Sequence, residues 1–324
     1  MKIDDFNALV ETAPQNETIL NTLAIARATL SQHKRIAVSY SGGSDSDTML
    51  DIIELLKPDD VEIRYVFFDT GLERDATLRQ LTEIENKYGV QIERRKPKTP
   101  LPAACKNHGI PFCSKTLSAL LAIYQHNGFD FNAEGKGIEH LKKGKRWTQE
   151  QSGQYSIPAK LKRFLTAHPP DFAISDRCCD HTKKIPAKVF NKEYAPDLDI
   201  QGVRKAEGGP RSSAYKTCFA ETESGADKYR PLFFWTDADK RLYKEWRRLH
   251  YSDCYELWGF ARTGCVGCPC SANSVPQLQI AEQYEPNKVK AAYAIFGDSY
   301  RYRAQYDDFK ISENQQTLWG SNND

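Results

Sequence analysis

Residues 35–46, RIAVSYSGGSDS, decide the fold of this chain. The run at 35–40 is short and apolar, as buried strands are, and residues 47–56 carry apolar side chains at helical spacing. Adjacent glycines let backbone N–H groups approach a ligand closely, and the N-terminus of the following helix adds partial positive charge. The segment therefore predicts a strand, an anion-binding loop and a helix.

Two common nucleotide-binding loops do not fit these residues. The segment lacks the Gly-Lys-Ser/Thr ending of the Walker loop, and it lacks the G-x-G-x-x-G spacing of dinucleotide-binding folds. A plain glycine turn, with Ser44 or Asp45 as the helix cap, fits the same residues and stays an alternative.

Strands and helices alternate on both sides of this loop. Further strands are predicted over 61–68 and 90–94, and helices over 16–31 and 115–125. Alternation at this spacing indicates βαβ units. We therefore predict an α/β fold with a doubly wound, mostly parallel sheet.

We expect three consecutive segments. They are an N-terminal helical segment at 1–34, a domain at 35–225 that contains the sheet and a basic insertion at about 126–158, and a smaller helical, cysteine-rich region at 226–324.

The composition is that of an ordinary globular chain. Its 324 residues include 15 Phe, 16 Tyr and 5 Trp, which is enough buriable surface to argue against disorder. The net charge of +2 argues against a polyanion-binding tail. No apolar run approaches the roughly 20 residues of a membrane-spanning helix, and the start at 1–15 is acidic rather than signal-like. A cytoplasmic location without membrane contact is expected.

The loop at 41–46 resembles the PP-loop of the ATP pyrophosphatase superfamily. Residues 68–73, FDTGLE, with Thr77 resemble an element of its phosphoadenosine-phosphosulfate (PAPS) reductase branch, as do 109–115, GIPFCSK, and 202–204 followed by Glu207 and Arg211. The resemblance implies a Rossmann-like, adenine nucleotide alpha hydrolase-like fold that binds ATP and Mg²⁺ at the carboxyl ends of its strands.

The resemblance also implies residue roles. Asp45, Lys115 and Arg204 are expected to act in catalysis, Asp45 as the acid associated with Mg²⁺. The residues implied to bind the nucleotide are Ser39, Ser41, Gly42, Gly43, Ser44, Asp45, Ser46, Asp69, Thr70, Gly71, Arg204 and Arg211.

One position departs from this pattern, because many relatives have lysine where this chain has Ser44. The change removes an ammonium from the pyrophosphate site. The cations expected to compensate are Lys115, Lys183, Arg204 and Arg211.

The nine cysteines form the second group of candidate residues. An odd number of thiols in a chain without a signal peptide argues against a disulfide framework. Adjacent thiols at 178–179 and a C-x-x-C pair at 265–268 can together supply four ligands to one metal site.

The pattern resembles the [4Fe–4S] ligation of adenylyl-sulfate reductases, and 262–269, RTGCVGCP, resembles PAPS-reductase-like proteins such as the DNA phosphorothioation sulfurtransferase. The ligands implied are Cys178, Cys179, Cys265 and Cys268, with zinc as the alternative metal. Cys218 or Cys270 could replace Cys178 as the fourth ligand. The thiols expected to be ordinary buried groups are Cys105, Cys113 and Cys254.

The expected activity is ATP-dependent sulfur transfer with release of AMP and pyrophosphate. A sulfonucleotide reductase needs a thiolate nucleophile near its C-terminus, and no cysteine follows Cys270 here. The reductase with a relocated thiol is therefore the first alternative. The second is a non-enzymatic, nucleotide-binding subunit of a modification or defence complex.

The expected sulfur acceptor is nucleic acid, either a DNA backbone or a tRNA base, and the expected donor is a partner such as a cysteine desulfurase. Residues 134–163 hold eight Lys and Arg against three Glu, with Trp147 and Tyr155 interleaved, as suits phosphate contact and base stacking. A solvated basic loop explains that stretch equally well. A predicted helix over 237–250 carries a second basic patch around Trp246, made by Arg241, Lys244, Arg247 and Arg248.

Overall fold

The computed structural model describes residues 2–132, 157–208, 215–223, 225–271 and 273–320, and it describes side chains as far as 314. Most of the basic insertion expected at 126–158, namely 133–156, lies outside the described residues.

A mostly parallel sheet of six strands confirms the predicted α/β fold. The strands are β1 Arg35–Ser39, β2 Glu62–Phe68, β3 Ile92–Arg95, β4 Leu198–Gln201, β5 Phe219–Ala220 and β6 Asp227–Tyr229. Their order is β3-β2-β1-β4-β6-β5, and only β5 runs antiparallel to its neighbour. The sheet order therefore reverses at β1, whose carboxyl end carries the glycine loop.

Twelve α-helices lie in the part of the chain that the structure describes. They are α1 Ile3–Thr12, α2 Glu17–Gln32, α3 Ser44–Leu56, α4 Asp75–Tyr88, α5 Leu101–His108, α6 Lys115–Gln125, α7 Ala159–Ala167, α8 Ile185–Tyr194, α9 Asp237–Arg247, α10 Asp253–Glu256, α11 Ser274–Tyr284 and α12 Pro286–Gly320. None of these helices combines the length and the apolar character that crossing a membrane requires.

Helix α3 begins three residues earlier than the apolar periodicity predicts, at Ser44 rather than at 47. Hydrogen bonds set this start, because the N–H of Asp47 already donates to the carbonyl of Gly43 at 3.0 Å. The loop is consequently shorter, and the first turn of α3 is built from Ser44, Asp45 and Ser46.

The chain packs as two units that are discontinuous in sequence. The first comprises residues 1–69, 73–96 and 185–263, including the whole sheet, and the second comprises 70–72, 97–184 and 264–324. The consecutive segments expected at 1–34, 35–225 and 226–324 do not coincide with them. The two divisions differ because residues far apart in the sequence pack together in the second unit. Phe164 of α7 packs on Tyr302 and Tyr306 of α12, with ring centroids 5.0 and 5.2 Å apart.

Candidate functional site

The glycine loop of the first unit is closed by one serine side chain. The hydroxyl of Ser46 accepts a hydrogen bond from the N–H of Gly43 at 3.0 Å and donates to the carbonyl of Gly43 at 2.7 Å. Ser41 donates to the same hydroxyl at 3.1 Å. Ser46 therefore fixes the turn between β1 and α3 from inside, so that the loop is preorganised before any ligand binds.

Two glycines of the site have no room for a larger residue. Gly42 has a φ of +66°, and a Cβ there would lie 2.6 Å from Cγ2 of Thr77. At Gly202, which follows β4, a Cβ would lie 3.2 Å from the carbonyl oxygen of Asp45. The glycines predicted from the sequence thus serve close packing of the backbone around the start of α3.

Two cations converge on one carboxylate at this loop. Oδ1 of Asp45 lies 2.9 Å from Nε of Arg204, as an ion pair, and accepts a hydrogen bond from Nζ of Lys240 at 2.8 Å. Lys240 also donates to the hydroxyl of Ser44 at 2.9 Å. Burial opposes the charged form of Arg204, but its interactions with Asp45 and Asp237 together outweigh burial and raise the pKa of Arg204. Arg204 has a second partner, the 85% exposed Asp237, at 2.8 Å, so Asp45 is the one buried carboxylate that both cations share.

A tyrosine hydroxyl also lies at the loop. Tyr255 of α10 interacts through its hydroxyl with the backbone and the side chain of Ser44, and that hydroxyl is 3.0 Å from Oγ1 of Thr263. Burial raises the pKa of Tyr255, whereas its hydrogen bonds with Thr263 and Ser44 lower it. A neutral hydroxyl thus contacts one of the amides that the sequence assigned to phosphate binding.

A buried carboxylate holds α9, the helix that carries Lys240, against α3. Asp51 is 1% exposed and accepts from the hydroxyl of Tyr243 at 2.7 Å and from Nε of Arg247 at 2.8 Å. The hydroxyl of Tyr88 donates to its other oxygen at 2.6 Å. The ammonium of Lys240 is therefore positioned through contacts that its own helix makes about one and two turns further along.

A second buried acid, Asp47, has a pKa that burial shifts close to neutral pH. Burial raises its pKa to about 7, although hydrogen bonds from Tyr40 and Gln80 and the charges of Lys87 and Lys240 oppose the shift. Asp47 is 2% exposed and faces the interior behind the loop.

The stability of the chain is expected to fall with pH because of Asp47. Between about pH 4 and pH 7 the folded state keeps the Asp47 proton that the unfolded chain has lost. The free energy of unfolding should therefore decrease by up to about 1.4 kcal/mol per pH unit relative to the variant Asp47→Asn, which cannot ionise. Urea denaturation of both proteins from pH 4 to pH 8 measures this difference. Parallel profiles would contradict it.

The predicted nucleotide-binding residues are distributed over both units. The first unit contains Ser39, Ser41, Gly42, Gly43, Ser44, Asp45, Ser46, Asp69 and Arg204. Thr70 and Gly71 belong to the second unit, and Arg211 lies outside the described residues. The N–H of Asp69 donates to the carbonyl of Arg95 at 2.9 Å, which places Asp69 directly after β2.

The sequence prediction missed Lys240, although it singled out the helix that carries it. Lys240 is 195 residues from Asp45, and no local motif connects them. Of the basic residues named on that helix, Lys244 pairs with Glu256 at 2.6 Å and Arg247 pairs with Asp51. The residue that could have predicted Lys240 was Ser44 itself. A phosphate-binding loop without a lysine of its own needs a cation from another part of the chain.

In the second unit, two of the four predicted metal ligands, Cys179 and Cys268, interact with Lys115. Cys178 interacts with Cys179 and with Cys105, Cys179 with Lys115, and Cys268 with Cys270. A hydrogen bond from Cys270 lowers the pKa of the Cys268 thiol, whereas the hydrogen bond that Cys178 donates to Cys105 is the main cause that raises the pKa of Cys178. Cys105, expected to be an ordinary buried thiol, thus belongs to this thiol cluster, and its helix α5 packs beside residues 180–184.

The arrangement of these side chains is not that of a formed metal site. Within the described ranges, no three His, Cys, Asp or Glu side chains are placed so that they could hold one metal ion. Sγ of Cys265 lies 3.4 Å from the hydroxyl of Thr70. Cys218, an alternative ligand, belongs to the first unit. The donor types suit a metal or cluster, but their placement here does not, and we derive no reaction step through such a group.

Comparison with known proteins identifies one relative by sequence. An uncharacterized protein of Methanocaldococcus jannaschii is 25% identical over 265 residues, which cover 80% of this chain and 39% of that protein. The chain therefore spans well under half the length of this relative.

Solved structures of similar architecture include PAPS reductase of Candida auris in a phosphate complex, with a TM-score of 0.44 and 16% identity over 82% of this chain and 96% of that one. The U34-tRNA thiolase NcsA of Methanococcus maripaludis with its [4Fe–4S] cluster has a TM-score of 0.41 and 13% identity, over 90% of this chain and 80% of that one. NH3-dependent NAD synthetase of Campylobacter jejuni has a TM-score of 0.36 and 11% identity, over 88% of this chain and 94% of that one.

The phosphoadenosine phosphosulfate reductase domain matches residues 35–128 and 132–271, a range that includes the glycine loop and the cysteines from 105 to 270. This match covers well over half of the sequence, and the chain belongs to the phosphoadenosine phosphosulfate reductase domain family.

Proposed function

We propose that the protein is an ATP-dependent sulfurtransferase that releases AMP and pyrophosphate and transfers sulfur to nucleic acid. The observation that carries the proposal is the pair of cations, Arg204 and Lys240, on the single carboxylate of Asp45 at a glycine loop. Basic side chains held beside a helix N-terminus are what a bound polyphosphate requires. Membership of the PAPS reductase domain family supports a nucleotide as the ligand.

The first step is adenylation of the acceptor. An acceptor oxygen attacks the α-phosphorus of ATP, a new O–P bond forms, and the bond to the leaving oxygen breaks as pyrophosphate departs. Catalysis of such a step rests on positioning and on charge neutralisation. The amides at the start of α3 would hold the pyrophosphate, with Arg204 and Lys240 offsetting its charge.

Mg²⁺ is the metal that this chemistry implies, and Asp45 is the residue that would hold it. Mg²⁺ usually binds through one or two carboxylates and keeps water and phosphate oxygens as its other ligands, so a single acid fits. When bound, it would supply further neutralisation of the phosphate charge.

The second step transfers sulfur. Sulfide, supplied by a donor such as a cysteine desulfurase together with a thiol reductant, attacks the adenylated atom. A bond to sulfur forms, the bond to oxygen breaks, and AMP leaves with the electron pair. No oxidant is consumed in this step, so it needs no redox centre.

Nucleic acid is the acceptor that the charge distribution favours. The basic stretch at 134–163 supports it by composition, although most of that stretch lies outside the described residues. Within the described part, Arg163 pairs with Glu313 at 2.7 Å. On α9 and after it, Arg241 and Arg248 are exposed, whereas Lys244 and Arg247 are engaged in ion pairs.

Pyrophosphate release from ATP tests the proposal. The wild-type protein, incubated with ATP, Mg²⁺, sulfide and mixed DNA and tRNA, should release pyrophosphate and yield sulfur-containing nucleotides by mass spectrometry. Asp45→Ala should reduce release by about a hundredfold or more, as loss of a preorganised charged group does. Asp237→Ala is the matched control, because Asp237 also pairs with Arg204, at 2.8 Å, but its side chain is 85% exposed.

Other outcomes select the alternatives. Sulfite release from PAPS with a thiol reductant would favour a sulfonucleotide reductase. Tight ATP binding without any pyrophosphate release, whatever acceptor is supplied, would favour a nucleotide-binding subunit of a modification or defence complex.

We further propose that the thiol cluster binds a [4Fe–4S] cluster, with zinc as the alternative, through Cys178, Cys179, Cys265 and Cys268. The paired spacing of these thiols in the sequence and the charge interactions of Cys268 with Cys178 and Cys179 support this. Iron, sulfide and zinc content after anaerobic purification tests it. Cys268→Ser should lose most of the metal, and Cys113→Ser, whose thiol faces Arg303 at 3.1 Å, should retain it. Wild-type protein free of both metals would contradict the proposal.

A further inference from the structure

We propose that Lys240 is the ammonium that binds the β- and γ-phosphates of ATP, supplied to the loop by α9 in place of a lysine within the loop. This inference rests on the proposed function, in that it takes the loop to be the phosphate site. Its starting point is that Nζ of Lys240 lies 2.9 Å from Oγ of Ser44, the loop position at which this chain lacks a lysine.

The charges at Asp45 show why Lys240 is more than a structural partner. A buried carboxylate needs one cation for charge balance, and Arg204, whose side chain is 7% exposed, already provides it; the other partner of Arg204, Asp237, is 85% exposed, so water screens its charge. Lys240 adds a second cation, and its side chain is only 17% exposed. Holding an extra ammonium out of water is unfavourable unless an anion balances it. The fully charged site is therefore complementary to a phosphate group.

The hydrogen bonds of Lys240 leave a donor for that phosphate. An ammonium carries three N–H donors. Among the described residues, two of them are used by Ser44 and Asp45, and the ring of Tyr251 lies 5.7 Å away. The third N–H donor of Lys240 has no hydrogen-bond acceptor among the described residues. The ammonium that carries it lies beside the backbone amides of the first turn of α3.

The position of Lys240 is fixed before the ligand arrives. A lysine loses about 2 kcal/mol of side-chain rotamer freedom when it is ordered. Here Ser44 and Asp45 hold the ammonium, and Asp51 holds the helix through Tyr243 and Arg247. The Lys240 side chain is therefore already ordered when ATP binds. The entropy cost of ordering it does not reduce the affinity for ATP.

Isothermal titration of the full-length protein with MgATP, pyrophosphate and AMP tests the inference. Lys240→Met should weaken binding of ATP and of pyrophosphate about ten- to a hundredfold, the range expected for a lost charge-assisted hydrogen bond. AMP, which lacks both outer phosphates, should bind Lys240→Met and wild type equally. The matched control is Lys244→Met, one turn further along α9, whose ammonium pairs with Glu256 at 2.6 Å; it should bind all three ligands as the wild type does.

A double variant that moves the lysine into the loop distinguishes loss of ATP binding from loss of folding. In Ser44→Lys/Lys240→Met, the loop itself carries the ammonium, and most of the lost affinity for ATP should return. If Lys240→Met binds ATP as tightly as the wild type, the inference is wrong and the phosphate site stands. If Lys240→Met weakens AMP binding as much as ATP binding, Lys240 acts elsewhere than on the outer phosphates. If the wild type binds neither ATP nor pyrophosphate, the proposed function itself fails.

Discussion

Gly42→Ala is expected to abolish ATP binding and to lower the free energy of unfolding by about 2–5 kcal/mol. A left-handed residue other than glycine costs about 1–2 kcal/mol, and Gly42 has a φ of +66°. The new Cβ would also lie 2.6 Å from Cγ2 of Thr77 and 3.0 Å from Cδ1 of Leu81. Relief of that overlap moves the loop away from α4, and overpacking of this kind costs about 1–3 kcal/mol.

Gly89→Ala separates backbone strain from overlap. Gly89 has a φ of +64°, close to that of Gly42, but a Cβ there would meet no atom within 4 Å. This control should lose only the strain of about 1–2 kcal/mol and should keep its affinity for ATP. Chemical denaturation and ATP titration of both variants measure the two effects. Equal losses of stability, or ATP binding by Gly42→Ala, would contradict the role assigned to the loop.

Asp51→Ala is expected to destabilise the chain by about 3–5 kcal/mol, because it leaves a charged and two neutral donors without their buried acceptor. Those donors are Arg247, Tyr243 and Tyr88, and the side chain of Tyr243 is fully buried. Since Tyr243 and Arg247 belong to α9, the substitution should also release Lys240 from the loop. Loss of ATP affinity at temperatures where the variant is still folded is the second expected result.

An exposed ion pair provides the control for this prediction. Asp60 pairs with Lys34, and their side chains are 71% and 62% exposed. Asp60→Ala should leave the urea midpoint and ATP affinity unchanged within error, since water replaces the lost partner. If Asp51→Ala behaved like Asp60→Ala, the contact between α3 and α9 would not be what positions Lys240.

Tyr255 links the loop to the segment that follows α10. Its hydroxyl contacts both the backbone and the side chain of Ser44, so a phosphate that accepts from the Ser44 amide must displace or join it. The same hydroxyl also lies 3.0 Å from Oγ1 of Thr263, so it keeps a hydrogen-bond partner if a phosphate takes the Ser44 amide.

The strands and helices around the loop could be predicted because their signals are local. The buried run of β1 and the helical spacing after it are properties of neighbouring residues, and α6 begins and ends at Lys115 and Gln125, as its periodicity predicts. The start of α3 could not be read in the same way. It depends on the hydroxyl of Ser46 bonding back to Gly43, a contact that periodicity does not report.

The thiols likewise combine a feature that the sequence predicts with one that only the packing of distant segments decides. Their spacing at 178–179 and 265–270 marks them as a group, and in the structure Cys268 lies near enough to Cys178 and Cys179 to interact with their charges. That Cys105 joins them depends on how α5 packs beside residues 180–184, which no spacing rule encodes.

By itself, the sequence determined the parallel α/β sheet, the glycine loop at its switch point and the paired thiol motifs, because each arises from residues close together in the chain. Only the tertiary structure decided which cation serves the loop. Lys240 reaches Ser44 and Asp45 across nearly two hundred residues because Asp51 holds α9 on α3. Charge pairing of that kind depends on distance in space, and distance in space is fixed only when the helices pack.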